Sequence, residues 1–177
     1  MGTSAVSSTI DVAIWFSEQA RRENDYIQPQ KLQRLLYLAQ GSFAAMNYGR
    51  KLMPATFVAD ETGPVEPTIY RLFEAGPPKI PLRRMKPEIE NFLSVIWRRY
   101  AHHTTEYLNQ QIHNHPIYSR AIKRGLFEEI EYESIVRFFT GKDRPPIQTE
   151  QVKTDDGRTL QKWVPGSVAT AKPANRE

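Results

Sequence analysis

The sequence contains no cysteine. That excludes a disulfide framework, a thiolate nucleophile and any cysteine-ligated zinc site, so stability has to come from burial, and the chain suits a reducing cytosol. Glycine is scarce, at 9 of 177 residues, which leaves little room for a phosphate-cradling loop, and neither such a loop nor a G-x-S-x-G nucleophile elbow is present. No apolar run approaches the roughly 20 residues of a membrane-spanning helix; Leu35-Leu36-Tyr37-Leu38-Ala39 is among the most apolar short stretches. Met1 to Ser8 lack the cationic start and apolar stretch of a signal peptide, and Val6 stands where a myristoylation site needs Ser or Thr. The expectation is a soluble, cytoplasmic protein with no membrane partner. Charge of one sign is not in great excess either: 24 basic and 20 acidic residues give a net +4, short of the dense basic patches of dedicated nucleic-acid binders.

What is present is a chain 40% hydrophobic and 25% charged, enough for one core and, at this length, one main domain. Ser8 or Thr9 caps a first helix to about Asn24, with Ile10, Ala13, Ile14 and Ser17 on one face and Trp15 and Phe16 widening it. A second helix opens at Pro29, where a missing N–H costs nothing, and carries Leu32, Leu35, Leu36, Ala39, Phe43 and Met46 at helical spacing until Tyr48-Gly49. Seven of the 13 prolines fall between Pro54 and Pro87, so that stretch reads as loop, a short helix from Pro67 to Glu74, and loop again. From Pro87 a third major helix sets Ile89, Leu93, Ile96 and Tyr100 on one face and ends near His102-His103. Thr104 caps the next, with Tyr107, Leu108 and Ile112 inward, and a short helix runs from Pro116 to Lys123 before Gly125. After an extended Leu126 to Tyr132, a last helix carries Ile135, Val136, Phe138 and Phe139 and stops at Gly141. The fold class expected is all-α, an irregular helical bundle over residues 1–141.

Residues 142–177 form a separate extension. Pro145-Pro146 breaks the chain, and Asp156-Gly157 is a hairpin-type turn between two short polar stretches, which leaves a C-terminal β-hairpin open. Pairing about a two-residue turn there sets Val152 and Trp163 on one face and Leu160 on the other. Residues 166–177 read as a disordered tail.

Two motifs carry a family signal. Lys31-Leu32-Gln33-Arg34-Leu35-Leu36-Tyr37-Leu38-Ala39-Gln40 is followed by Thr62-Gly63-Pro64-Val65-Glu66-Pro67 and Ile69-Tyr70-Arg71-Leu72-Phe73. In that order and separation they resemble the Panacea domain, the family of the SocA-like antitoxins and the phage-associated GepA-like proteins, over roughly Thr9 to Gly141. Two places depart from the family pattern: Val58-Ala59-Asp60-Glu61 lacks the usual aromatic before the G-P-V turn, and Ile117-Tyr118 stands where a Trp is usual. The resemblance implies a non-enzymatic antitoxin that binds and neutralises a separately encoded protein toxin. One branch of that family acts instead as an adaptor delivering the toxin to a ClpXP-type protease.

The same residues have a plainer reading. The leucines of the first motif are core, leaving Lys31, Arg34, Tyr37 and Gln40 on other faces as contact candidates. Gly63-Pro64-Val65 makes a rigid turn, because Gly supplies a conformation closed to other residues and Pro fixes φ. A rigid turn presents a surface at little entropic cost, so the candidate partner-binding residues are Tyr37, Thr62, Gly63, Pro64, Val65 and Tyr70, with Trp163 of the extension as a second anchor. No metal or other cofactor is expected: His102, His103, His113 and His115 lack a carboxylate at ligand spacing. The acidic run Glu128 to Glu133 reads as a solvated edge. The alternative from another class is a DNA-binding regulator of a phage-associated operon, suggested by Arg83-Arg84, Lys86, Arg98-Arg99 and Arg120, Lys123 and Arg124 with aromatics between them.

Overall fold

Four helices begin on a proline, at Pro29, Pro67, Pro87 and Pro116, where the lost donor is one that a helix start leaves unpaired anyway. Two others begin behind a side-chain cap. Ser8 accepts from the Ile10 N–H and Thr104 from the Tyr107 N–H, both at 3.2 Å. The computed structural model describes residues 4–142 together with the backbone of residues 149–153 and 159–163. It forms two units, Met1–Asp143 and Arg144–Glu177.

The first unit runs α1 (Thr9–Arg22), α2 (Pro29–Met46), β1 (Val58–Asp60), β2 (Gly63–Val65), α3 (Pro67–Phe73), α4 (Pro87–Tyr100), α5 (Thr105–His113), α6 (Pro116–Arg124) and α7 (Tyr132–Phe139). It is predominantly helical, but all-α is too coarse a description. β1 and β2 pair antiparallel, with Val58 opposite Val65 and Asp60 opposite Gly63. Residues 127–130 extend this ribbon: the Phe127 N–H donates to Ala59, the Ala59 N–H to Glu128 and the Ile130 N–H to Phe57, each at 2.8 Å. A hairpin was not expected in a proline-rich stretch, and its three-residue strands are too short to show alternation.

Helix α2 is the axis of the unit. Every residue from Leu32 to Gly41 is buried, and the helix packs against α1, α3, α4, α5, α7 and β2. Leu32, Leu35 and Leu36 are 0% exposed, each contributing about 1.5–3 kcal/mol of burial. Gly41 lets α7 come close, since a Cβ there would lie 2.4 Å from the Phe139 ring. Of the residues of α5 expected inward, Leu108 and Ile112 are buried, but Tyr107 is 43% exposed.

In the second unit β3 (Thr149–Lys153) and β4 (Thr159–Trp163) pair antiparallel. Val152 stands opposite Leu160, and Thr149 opposite Trp163. The two-residue turn at Asp156-Gly157 would instead pair Val152 with Gln161. Five residues, not two, separate the last paired positions, Lys153 and Thr159, and the register shifts accordingly. Asp156-Gly157, the tail from Gly166 and the Trp163 side chain lie outside the described residues. Among the described residues no helix is long and apolar enough to cross a membrane.

Candidate protein-binding site

Gln33, Arg34 and Gln40 of α2 face inward and hold the loop between α2 and α3. Gln40 donates to the Met53 carbonyl and accepts from the Leu52 and Met53 N–H groups, all at 3.1 Å. Gln33 Oε1 accepts from the Glu66 N–H at 2.8 Å. Between them Arg34, 0% exposed, spreads its guanidinium across the hairpin turn. Nε donates to Asn109 Oδ1 (2.6 Å), Nη1 to the Pro64 carbonyl (2.8 Å), and Nη2 to the Thr62 carbonyl (2.6 Å) and Thr62 Oγ1 (3.0 Å). The Thr62 hydroxyl in turn donates to Asp60 Oδ2 at 2.9 Å, so the cation meets its nearby carboxylate through one hydroxyl. Burial lowers the Arg34 pKa to about 10, with Tyr118 and Asp60 opposing the shift, which leaves it charged at neutral pH.

The far side of the turn is held by α6. Tyr118 Oη donates to the Asp60 carbonyl at 2.5 Å and lies 3.2 Å from that of Glu61, while its ring stacks on His113 at 5.0 Å. At the downstream end Glu66 caps α3, accepting from the Ile69 N–H at 2.7 Å. Burial raises the Glu66 pKa, against the hydrogen bonds it accepts. Residues 60–66 are thus fixed from α2, α5 and α6 at once. The fork geometry of arginine suits several fixed acceptors better than a lysine point charge would.

This arrangement corrects several sequence expectations. Gly63, Pro64 and Val65 are buried, so they build the turn from inside and do not lie on the surface of the chain. Arg34 and Gln40, read as surface candidates, are internal anchors. Tyr37 is 0% exposed, packed edge-on against Phe57 (5.5 Å) and Phe139 (5.8 Å) and beside His115 (6.0 Å). Burial holds its phenol far above the ordinary range. What reaches solvent is Glu61 and Thr62 at the turn, and Tyr70 on α3, 41% exposed. Tyr70 lines a cavity of about 380 Å³ with Gln28, Pro29, Gln30 and Glu74. Asn109, Tyr118 and Gln33 went unnoticed in the sequence as parts of the site. One signal was available for Arg34: α2 carries only two charged residues, Lys31 and Arg34, in 18, and a helix so poor in charge is surrounded by core.

Over 66 residues, the chain is 42% identical to the antitoxin SocA of Caulobacter vibrioides (strain NA1000 / CB15N). The match covers 37% of this chain and 35% of that protein, so the chain spans about a third of the length of the curated relative it matches. No protein-family model matches the chain. No solved structure matches it.

Proposed function

We propose that this protein is a SocA-like antitoxin that binds a separately encoded protein toxin and neutralises it, acting by binding and not by catalysis. The observation that carries the reading is the Arg34-held turn. Its backbone is already ordered by buried hydrogen bonds, so presenting Glu61 and Thr62 to a partner loses little further entropy. The similarity to an antitoxin named SocA supports the class of partner. Tyr70 adds an exposed aromatic beside a concavity, the residue type favoured at binding hot spots.

Two modes fit this reading, direct masking of the toxin and delivery to a ClpX-type protease. Co-expression with the product of the adjacent open reading frame separates them. Growth rescue and co-purification in a host lacking ClpXP mean masking, and rescue confined to a host containing it means delivery. A neighbour that is harmless alone and does not bind would sink the antitoxin reading. The DNA-binding alternative would then be tested by its steep salt dependence.

A further inference from the structure

Two cavities of the first unit share a wall. One, of about 480 Å³, reaches from the N-terminal segment to Arg83, Arg84 and Lys86. The other, of about 370 Å³, lies between the end of α2 and the start of α4. Ala5 and Lys86 line both, so the two run together as one trough. Its backbone floor is fixed: the Ala5 N–H donates to Lys51 at 2.9 Å and the Val6 N–H to Leu52 at 2.8 Å, and Leu52 is itself anchored by Gln40.

The ends of the trough differ in chemistry. At the α2 end Phe43 and Phe92 meet edge to face at 5.2 Å, and Met46 is 71% exposed above them. Two residues on, Tyr48 is fully exposed with a φ of 51°, a left-handed conformation that a bulky residue adopts only under strain. Arg83 and Arg84 at the other end, and Lys86 where the two cavities meet, are all exposed. Across the whole lining, four cations (Arg50, Arg83, Arg84, Lys86) stand against two carboxylates (Asp11, Glu88).

We propose that this trough docks an acidic segment of a partner polypeptide. One large apolar side chain seats at Phe43, Met46 and Phe92, and the segment's carboxylates lie along Arg83, Arg84 and Lys86. Charge complementarity selects the acidic partner. The aromatic and thioether end selects a peptide over duplex DNA, whose bases are stacked inside and whose backbone supplies anions but no apolar side chain to fill it. The proposal stands independently of the antitoxin reading, since none of these residues belongs to the Arg34 turn.

The test is an NMR titration of the isotope-labelled full chain with synthetic peptides. The first carries one Phe flanked by Glu and Asp; the second has the acids replaced by Lys; the third has the Phe replaced by Ala. The first should shift the amides of Ala5, Met46, Lys86 and Phe92, the second should not, and the third should bind about tenfold more weakly. Exposed-site variants Met46→Glu and Arg84→Glu with Lys86→Glu should each weaken the first peptide about tenfold at unchanged Tm. Absence of shifts at millimolar peptide, or equal binding of the Lys peptide, would overturn the proposal. So would shifts at these residues with duplex DNA and none with the peptide. Self-association abolished by Met46→Glu would give the trough to a second copy of the chain, and would overturn it too.

Discussion

A Cβ atom on Gly63 would stand 2.7 Å from Cζ and Nε of Arg34: the glycine and the arginine fill one another's space. Gly63 also has a φ of 137°, in the region that other residues avoid. Both effects act against Gly63→Ala, and the clash is with a guanidinium pinned by four hydrogen bonds, not a free side-chain tip. The substitution should destabilise the protein by about 2–3 kcal/mol in urea unfolding. A loss within about 0.5 kcal/mol of zero would show that the fork is loose.

Arg34→Lys keeps the charge and loses the fork. One ammonium cannot reach Asn109, Thr62 and Pro64 together, so buried acceptors go unpaired, at an expected cost of about 2 kcal/mol. Tyr118→Phe removes the donor to the Asp60 carbonyl and should cost about 1 kcal/mol. Amide hydrogen exchange at Thr62 and Gly63 should quicken in both variants while the α2 core amides change only with global stability. Uniform acceleration across the chain would mean that the turn has no stability of its own to lose.

Six helix starts were legible because they have a local chemical cause, a proline at the first position of α2, α3, α4 and α6 or a hydroxyl cap before α1 and α5; α7 opens behind Glu131 with no side-chain cap. The inward polar residues were not. Arg34 occupies a position that a one-sided amphipathic helix gives to solvent, and only the packing of α2 on all sides turns that position inward. Two of its four acceptors are backbone carbonyls some 30 residues away, and a carbonyl has no residue type to recognise. The 58–65 hairpin escaped for a similar reason, since Pro64 within a strand reads as a breaker and the ribbon's support comes from residues 127–130.

Tyr37 and Tyr70 both lie in the motif stretches, and the structure separates their surroundings. Tyr70→Ala removes an aromatic that is 41% exposed, so Tm should stay nearly unchanged while binding of the neighbouring gene's product weakens by about 2 kcal/mol, roughly thirtyfold. Tyr37→Ala leaves a cavity among Phe57, His115 and Phe139 and should cost about 3–5 kcal/mol of stability. Tyr37→Phe should be mild, because its hydroxyl meets His115 Nδ1 only at 3.4 Å. Calorimetry with a binding assay checks all three. A Tyr70→Ala variant that melts early and binds normally would reverse the assignment.

Gly41 and Phe139 should behave as a coupled pair. A methyl group on Gly41 would fall within 2.5 Å of three ring atoms, and the ring is hemmed in by Tyr37, His115 and Phe138. Gly41→Ala alone should therefore cost about 1–3 kcal/mol. Phe139→Leu alone should cost about 1 kcal/mol. Together they should cost less than the sum, because the smaller side chain makes room for the methyl. Strict additivity in urea unfolding would place the ring elsewhere.

His115 gives the fold a calculable acid sensitivity. Its ring lies 4.2 Å from Phe138 and 5.6 Å from Phe139, and burial lowers its pKa from 6.5 to about 4. The unfolded chain therefore binds the extra proton first as pH falls. Stability from this residue is complete above pH 6.5 and is lost progressively from there to about pH 4. The loss should reach the order of 2 kcal/mol. His115→Phe keeps an aromatic in the same pocket and removes no helix cap, because the His115 side chain makes no capping bond to α6. Its unfolding free energy should fall less steeply than the wild type's across that window, the two curves converging in slope above pH 7. Parallel curves from pH 7 to 4 would mean that the imidazole accepts its proton in the folded state without leaving the aromatic cluster.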